Sequence, residues 1–155
     1  MKRSYLLVAL LAVVVAPLQL RAQSADQEKE AVYAIVEKFF QGFNAKDSTV
    51  MQSTLFSEVK LFTTATNQQG VPVAKAEGAA DLIKAITSAT AKLDERISNP
   101  VVAVSDGLAT VWVDYEFYVD EKYSHCGVDV FMLVKTADGW KISTLADTRR
   151  KSCGK

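Results

Sequence analysis

The chain of 155 residues has one histidine, two cysteines and three prolines, and its eighteen basic residues are matched by eighteen acidic ones. Each shortage narrows the field. One His and two Cys do not complete a tetrahedral site without a carboxylate, so no metal centre is expected. Balanced charge with no basic stripe gives no footprint for nucleic acid. No Gly-rich phosphate loop, Ser-His-Asp pattern or metal-ligand cluster occurs, and no cofactor is predicted. His125 and Cys126 are adjacent, so on a strand they point to opposite faces, which makes a Cys–His nucleophile pair awkward. With no internal repeat, low-complexity tract or linker, the length suits one domain with a single core.

What is present begins with an address. Lys2 and Arg3 form a basic n-region ahead of the apolar run YLLVALLAVVVAP, and Ala22 and Ala25 are small residues at cleavage positions, Ala22 preferred. The run is short for a membrane span, so residues 1–22 read as a removable secretory signal peptide and residues 23–155 as the mature domain. The expected location is periplasmic or extracellular, with no membrane attachment in the mature form. Removing Lys2, Arg3 and Arg21 leaves fifteen basic against eighteen acidic residues, a balance of −3.

Ser24-Ala-Asp-Gln27 has the form of a capping box. Val32, Ile35, Val36, Phe39, Phe40 and Phe43 follow at helical spacings, which predicts a core-facing helix of about five turns. Asp47 or Ser48 caps a short second helix holding Met51, Leu55 and Phe56. Val59 to Thr66 and Val71 to Ala76 read as a hairpin around NQQG, with Pro72 marking an edge. Gly78 to Ala91 reads as a third helix, and strands take over from Asp94. The order ααββαββββ is an α+β arrangement with helices segregated to one side.

The stretch Val101 to Arg150 carries the strongest local information. Asp106-Gly107 and Asp138-Gly139 each lie between alternating apolar runs, a hairpin pattern that favours two-residue turns. With Asp138 and Gly139 as loop residues, Met132 faces Leu145, Val130 faces Asp147 and Val128 faces Arg149. These residues then form an inner face, with Phe131, Leu133, Trp140, Ile142, Thr144 and Ala146 opposite. A turn at Glu121-Lys122 adds Val111, Val113, Tyr115 and Phe117 to the inner face. Both faces are largely apolar, which is unusual for a sheet with one side in water. Helices should cover one face and a twin subunit the other, although half-exposed aromatics on a solvated sheet are the alternative. In the same register Cys126 faces Lys151, which leaves Cys153 one diagonal away. In an oxidising compartment a Cys126–Cys153 disulfide is the leading reading, against two free thiols.

This order, together with HCGVDVFMLVKTADGWKISTLADTRRKSC from His125 to Cys153, resembles the nuclear transport factor 2-like (NTF2-like, cystatin-like) superfamily. Its nearest likeness is to secreted bacterial lumazine-binding and SnoaL-like proteins. The resemblance covers the mature chain and is sharpest over its last fifty residues. It implies a curled antiparallel sheet wrapped around the first helix as a cone, a pocket between them, and a dimer on the sheet's outside.

On that frame Asp147 and Arg149, at i and i+2, point into the cavity. Tyr115, Val130, Met132 and Leu145 supply apolar walls, the usual form of a small-molecule site. The bland alternative is that Asp147 and Arg149 merely neutralise each other beside the core. Aligned by the DG hairpin, the oxyanion-side Asp of a steroid-isomerase-like site falls near Val130 and its Tyr near Phe39, which puts that chemistry in doubt. Three readings stand. The first is an exported, non-catalytic module for a small organic ligand. The second is an isomerase-, dehydratase- or cyclase-type enzyme with Asp147 as base and Tyr115 or Arg149 polarising a carbonyl. The third is a dimeric interaction scaffold.

Overall fold

The computed structural model describes the backbone of residues 4–153 and the side chains of residues 25–153, so the leader predicted at residues 1–22 has its side chains outside the described residues. The elements follow the expected order: α1 (Ser4–Ala45), α2 (Ser48–Thr54), β1 (Leu55–Thr66), β2 (Pro72–Glu77), α3 (Ala79–Ser88), β3 (Leu93–Ser105), β4 (Leu108–Val119), β5 (Lys122–Thr136) and β6 (Gly139–Arg149). The six strands make one sheet in the order β2-β1-β6-β5-β4-β3, antiparallel except where β1 runs parallel to β6.

The first helix does not begin at the Ser24 capping box; it is continuous from Ser4. The Leu- and Ala-rich residues ahead of Ser24 are strong helix formers, so nothing in the backbone imposes a start there while they remain attached. Val32, Val36, Phe39, Phe40 and Phe43 are buried against the sheet, as their spacing predicts. Lys46 ends the helix in a left-handed conformation, φ 55°. The Asp47 side chain caps α2 by accepting from the backbone N–H of Thr49 and Val50. Leu55 and Phe56, expected in the second helix, instead open β1.

The sheet's core face is built from Ala109, Val111, Val113, Phe131, Leu133, Trp140 and Ile142. This corrects the predicted sidedness of β5. Val130 and Met132 lie on the outer face, with Met132 40% exposed, while Phe131 and Leu133 are fully buried. Trp140, assigned to a partner-facing surface, is a core residue whose Nε1 donates to Glu28 of α1 at 3.1 Å.

The physical reason lies in two turns and two bulges. The β4–β5 turn is Asp120-Glu121, with φ of 49° and 65°, rather than Glu121-Lys122. Ser124 is then an extra residue between the Phe117–His125 and Tyr118–Tyr123 pairs. The net register differs by one residue from the predicted one, and a one-residue slip turns a whole strand over. At the next hairpin the loop residues are Ala137 and Asp138, with Thr136 opposite Gly139 and Gly139 at φ 95°. A left-handed Gly just after a turn is a bulge geometry that a two-residue turn at Asp138-Gly139 does not anticipate. Ser143 is a second extra residue, between Leu133–Ile142 and Met132–Thr144. It returns Leu145, Asp147 and Arg149 to the same face as Phe131. The Asp106-Gly107 turn stands as predicted, with Ser105 opposite Leu108.

Candidate functional site

A narrow cavity of about 60 Å³ lies between α1 and the concave sheet. Phe39, Phe40 and Phe43 form one wall because they project from successive turns of α1. From the sheet come Thr63 of β1, Glu95 of β3, Tyr115 of β4, His125 and Asp129 of β5, and Leu145, Asp147 and Arg149 of β6. A wider vestibule of about 320 Å³ adjoins it, sharing Phe43, Leu82, Glu95, His125 and Arg149 and adding apolar residues of α3 with Leu93 and Phe117.

Each polar group is positioned by an identifiable contact. The Asn44 side chain at the end of α1 grips the backbone of Glu95, donating to its C=O at 3.0 Å and accepting from its N–H at 2.8 Å. The helix C-terminus therefore sets where β3 presents Glu95. Asp129 is 2% exposed, and its Oδ2 has no hydrogen-bond partner. The Glu95 and Asp129 carboxyls both line the chamber, close enough for each to affect the other's ionisation. Burial, with the nearby Asp147 charge, pushes Glu95 up to about 8. Burial, Glu95 and Asp147 push Asp129 well above the usual carboxylate range. Two carboxyls this close, one of them fully buried, do not both ionise readily near neutral pH.

Asp147 is committed differently. One oxygen accepts from the Thr63 hydroxyl at 2.5 Å and the other from Arg149 Nε at 3.1 Å. The Tyr115 hydroxyl donates to the Thr148 carbonyl at 2.9 Å, and burial with the Asp147 charge raises the phenol above its ordinary range. That packing needs Gly127, since a Cβ there meets Thr148 O at 1.7 Å and the Tyr115 ring at 2.7 Å. The glycine lets the neighbouring strand's backbone approach closely. His125 sits edge-on to Tyr115 and against Phe117, with burial and Arg149 lowering its pKa so that it is neutral at pH 7.

Of the six residues predicted to contact a ligand, Tyr115, Leu145, Asp147 and Arg149 line the cavity. Val130 and Met132 do not, because the β5 register turns them outward. Of the two acids that sequence reasoning missed, Asp129 was hidden by the same slip, and Glu95 lies on β3, for which the sequence supplied no register. With Val130 assigned inside, its neighbour Asp129 was assigned outside. His125, considered in the sequence only as a poor partner for Cys126, lines both chambers. Cys126 and Cys153 form the expected disulfide, with Cα atoms 6.1 Å apart. Cys126 pairs with Arg150 rather than Lys151, so Cys153 lies three residues past the paired position and the chain beyond Arg150 leaves the ladder where the sulfurs meet. Among the described residues no group of three or more His, Cys, Asp and Glu is placed to hold a metal ion. No helix among them is long and apolar enough to cross a membrane.

A long helix inside a curled six-stranded sheet, with a cavity between them, defines an NTF2-like protein. More narrowly, the chain belongs to the family described as "putative lumazine-binding", whose profile matches residues 27–145. Solved structures agree on the fold. An NTF2-like protein of unknown function from Shewanella baltica is 16% identical, with a TM-score of 0.59 over 81% of this chain and 96% of that one. An NTF2-like superfamily protein from Salmonella enterica is 12% identical, with a TM-score of 0.65 over 83% of this chain and 95% of that one. A "putative dehydratase from the NTF2-like family" of Streptomyces avermitilis is 13% identical, with a TM-score of 0.61 over 82% and 99%. At these identities the likeness is one of fold. A search of curated proteins found no match.

Proposed function

We propose that the protein is an exported, non-catalytic binding module that holds a small, partly apolar organic molecule between α1 and the sheet. The observation that carries this reading is the unpartnered Asp129 Oδ2, buried beside Glu95 in a cavity with Phe39, Phe40 and Phe43 along one wall. An unmet buried acceptor costs about 1–3 kcal/mol, a cost that a ligand donor removes. Apolar walls around a few convergent polar groups are the ordinary form of a ligand pocket. Tyr115, Leu145, Asp147 and Arg149 are the predicted contacts that remain, joined by Glu95, Asp129 and His125. The test is native mass spectrometry of the purified, oxidised protein after exposure to a metabolite mixture and to lumazine. A retained small molecule, lost in Asp129→Asn, is the expected result; nothing retained rejects the reading.

One observation favours a second reading. A carboxyl raised to about 8 is poised for proton transfer at neutral pH, as in isomerase- or dehydratase-type enzymes. In that reading Glu95 is a better base than Asp147, whose two oxygens are already engaged by Thr63 and Arg149. Any turnover found should fall at least about a hundredfold in Glu95→Gln. An unchanged rate removes this reading.

Export is supported by the Cys126–Cys153 bridge, since such bonds persist in oxidising compartments. Cleavage after Ala22 leaves the Ser24 capping box at the new helix start. Expression with the native leader should give a periplasmic product whose intact mass corresponds to residues 23–155; a full-length mass rejects cleavage. Exposed Val101 and Trp112, paired across β3 and β4, support a homodimer through the outer sheet face.

A further inference from the structure

We infer that the cavity is a site for an organic amine, with the ammonium head between Glu95 and Asp129 and the hydrocarbon body in the adjoining vestibule. The inference rests on the small-molecule reading above and names the chemical class of that molecule.

Charge argues first. Four carboxyl side chains, Glu77, Glu95, Asp129 and Asp147, line the inner chamber against one guanidinium, Arg149. That guanidinium is already paired with Asp147, whereas Asp129 Oδ2 has no partner and its residue is only 2% exposed. An anionic head meets repulsion there with no free cation to receive it. A neutral hydroxyl can satisfy one oxygen. An ammonium brings up to three donors and a charge, and so can serve Asp129 Oδ2 and Glu95 together.

Size argues next. The inner chamber, at about 60 Å³, is the narrower of the two and suits a compact head such as an ammonium group. The roomier 320 Å³ vestibule, walled by Leu82, Ile86, Leu93 and Phe117, takes the hydrocarbon body. The Phe39, Phe40 and Phe43 rings around the chamber add faces that attract a cation. A divalent metal fits less well, since no group of three ligating side chains among the described residues is arranged for one.

The linkage to protons has a definite sign. The groups facing Glu95 are Asp129 and His125 from β5, Tyr115 from β4, Asp147 and Arg149 from β6, and Glu77 from β2. His125 and Tyr115 are held neutral near pH 7, and Arg149 keeps its charge. Below about pH 8 Glu95 carries a proton that an arriving ammonium displaces. Amine binding at neutral pH therefore releases a proton and tightens as pH rises through that range.

Isothermal titration of the oxidised protein with 2-phenylethylamine, 2-phenylethanol and 3-phenylpropanoate, in two buffers of different ionisation enthalpy, tests this. The amine should bind at least about tenfold more tightly than the alcohol. It should release about one proton per molecule bound near pH 7 and few above pH 9. Glu95→Gln and Asp129→Asn should each weaken the amine by about tenfold or more and leave the alcohol unchanged, so either variant suffices if the other folds poorly. Equal or tighter binding of the alcohol or the carboxylate overturns the amine class while leaving a binding module intact. No binding by any of the three also overturns it, and native mass spectrometry of the same preparation then decides whether the broader reading survives.

Discussion

At the scale of single residues, the Glu95–Asp129 pair sets a testable pH dependence. Glu95 is pushed up to about 8 in the fold, against an ordinary carboxylate value near 4.5. A carboxyl raised by folding binds its proton more tightly in the folded state. Its contribution is therefore fully present at low pH and is lost as pH rises from about 4.5 through 8. Asp129 acts in the same sense. His125, lowered in the fold, works the opposite way below about 6.5, so the clean window is pH 6.5 to 8. Stability measured by urea unfolding should fall across that window, and Glu95→Gln should flatten the fall. A rising profile contradicts the buried pair. A second residue-scale prediction discriminates the two β5 registers. Phe131→Ala should cost about 3–5 kcal/mol, whereas Met132→Ala, 40% exposed, should cost less than about 1 kcal/mol. Reversed costs restore the register in which Met132 faces the core.

At the scale of elements, what was legible in the chain and what was not divide along a physical line. Helical periodicity from Val32 to Phe43 is a property of one segment and needs no partner, so it reads correctly from the sequence. The Asp106-Gly107 turn and the Pro72 edge are likewise local. Sidedness of a strand is not local, because it is inherited through every turn and bulge before it. Ser124 and Ser143 are ordinary strand-compatible residues, and nothing in their identity marks them as the extra residue of a bulge. The errors compensate in part. The Ser124 bulge turns β5 over, and the Ser143 bulge returns the end of β6, so Asp147 and Arg149 were placed correctly while Val130 and Met132 were not. The element most exposed to such slippage is clamped covalently. The bridge joins the start of β5 to the tail beyond β6 and closes 27 residues of separation. Paired Cys126→Ser and Cys153→Ser substitutions should lower stability by about 3 kcal/mol in chemical denaturation, the entropy of closing a loop of that length. Because Cys126 is 1% exposed, reductant should act on the folded protein far more slowly than on the unfolded one. Equal stability with and without the bridge removes this account.

At the scale of the molecule, an α+β cone was readable because both faces of its C-terminal strands are apolar, and that demands two coverings. The inner covering is α1, whose Phe side chains meet Phe131 edge-on. The outer face is left with Val101 at 65% exposure, Trp112 at 49% and Met132 at 40%. Val101 and Val130 flank Trp112 directly in the sheet, so the three form one continuous row across β3, β4 and β5. Single exposed apolar residues need no explanation, but a row centred on a Trp and running in from the β3 edge matches the aromatic anchors around which protein interfaces form. A second copy presenting the same row satisfies it with two-fold symmetry and no further chain. Light scattering after size exclusion should therefore give twice the chain mass. Trp112→Glu should give a monomer of unchanged helix and sheet content, because the Trp112 side chain lies half in solvent and outside the core. A wild-type monomer at concentrations of tens of micromolar overturns the dimer. It leaves the cone intact, since every contact that closes the cavity is made within one chain.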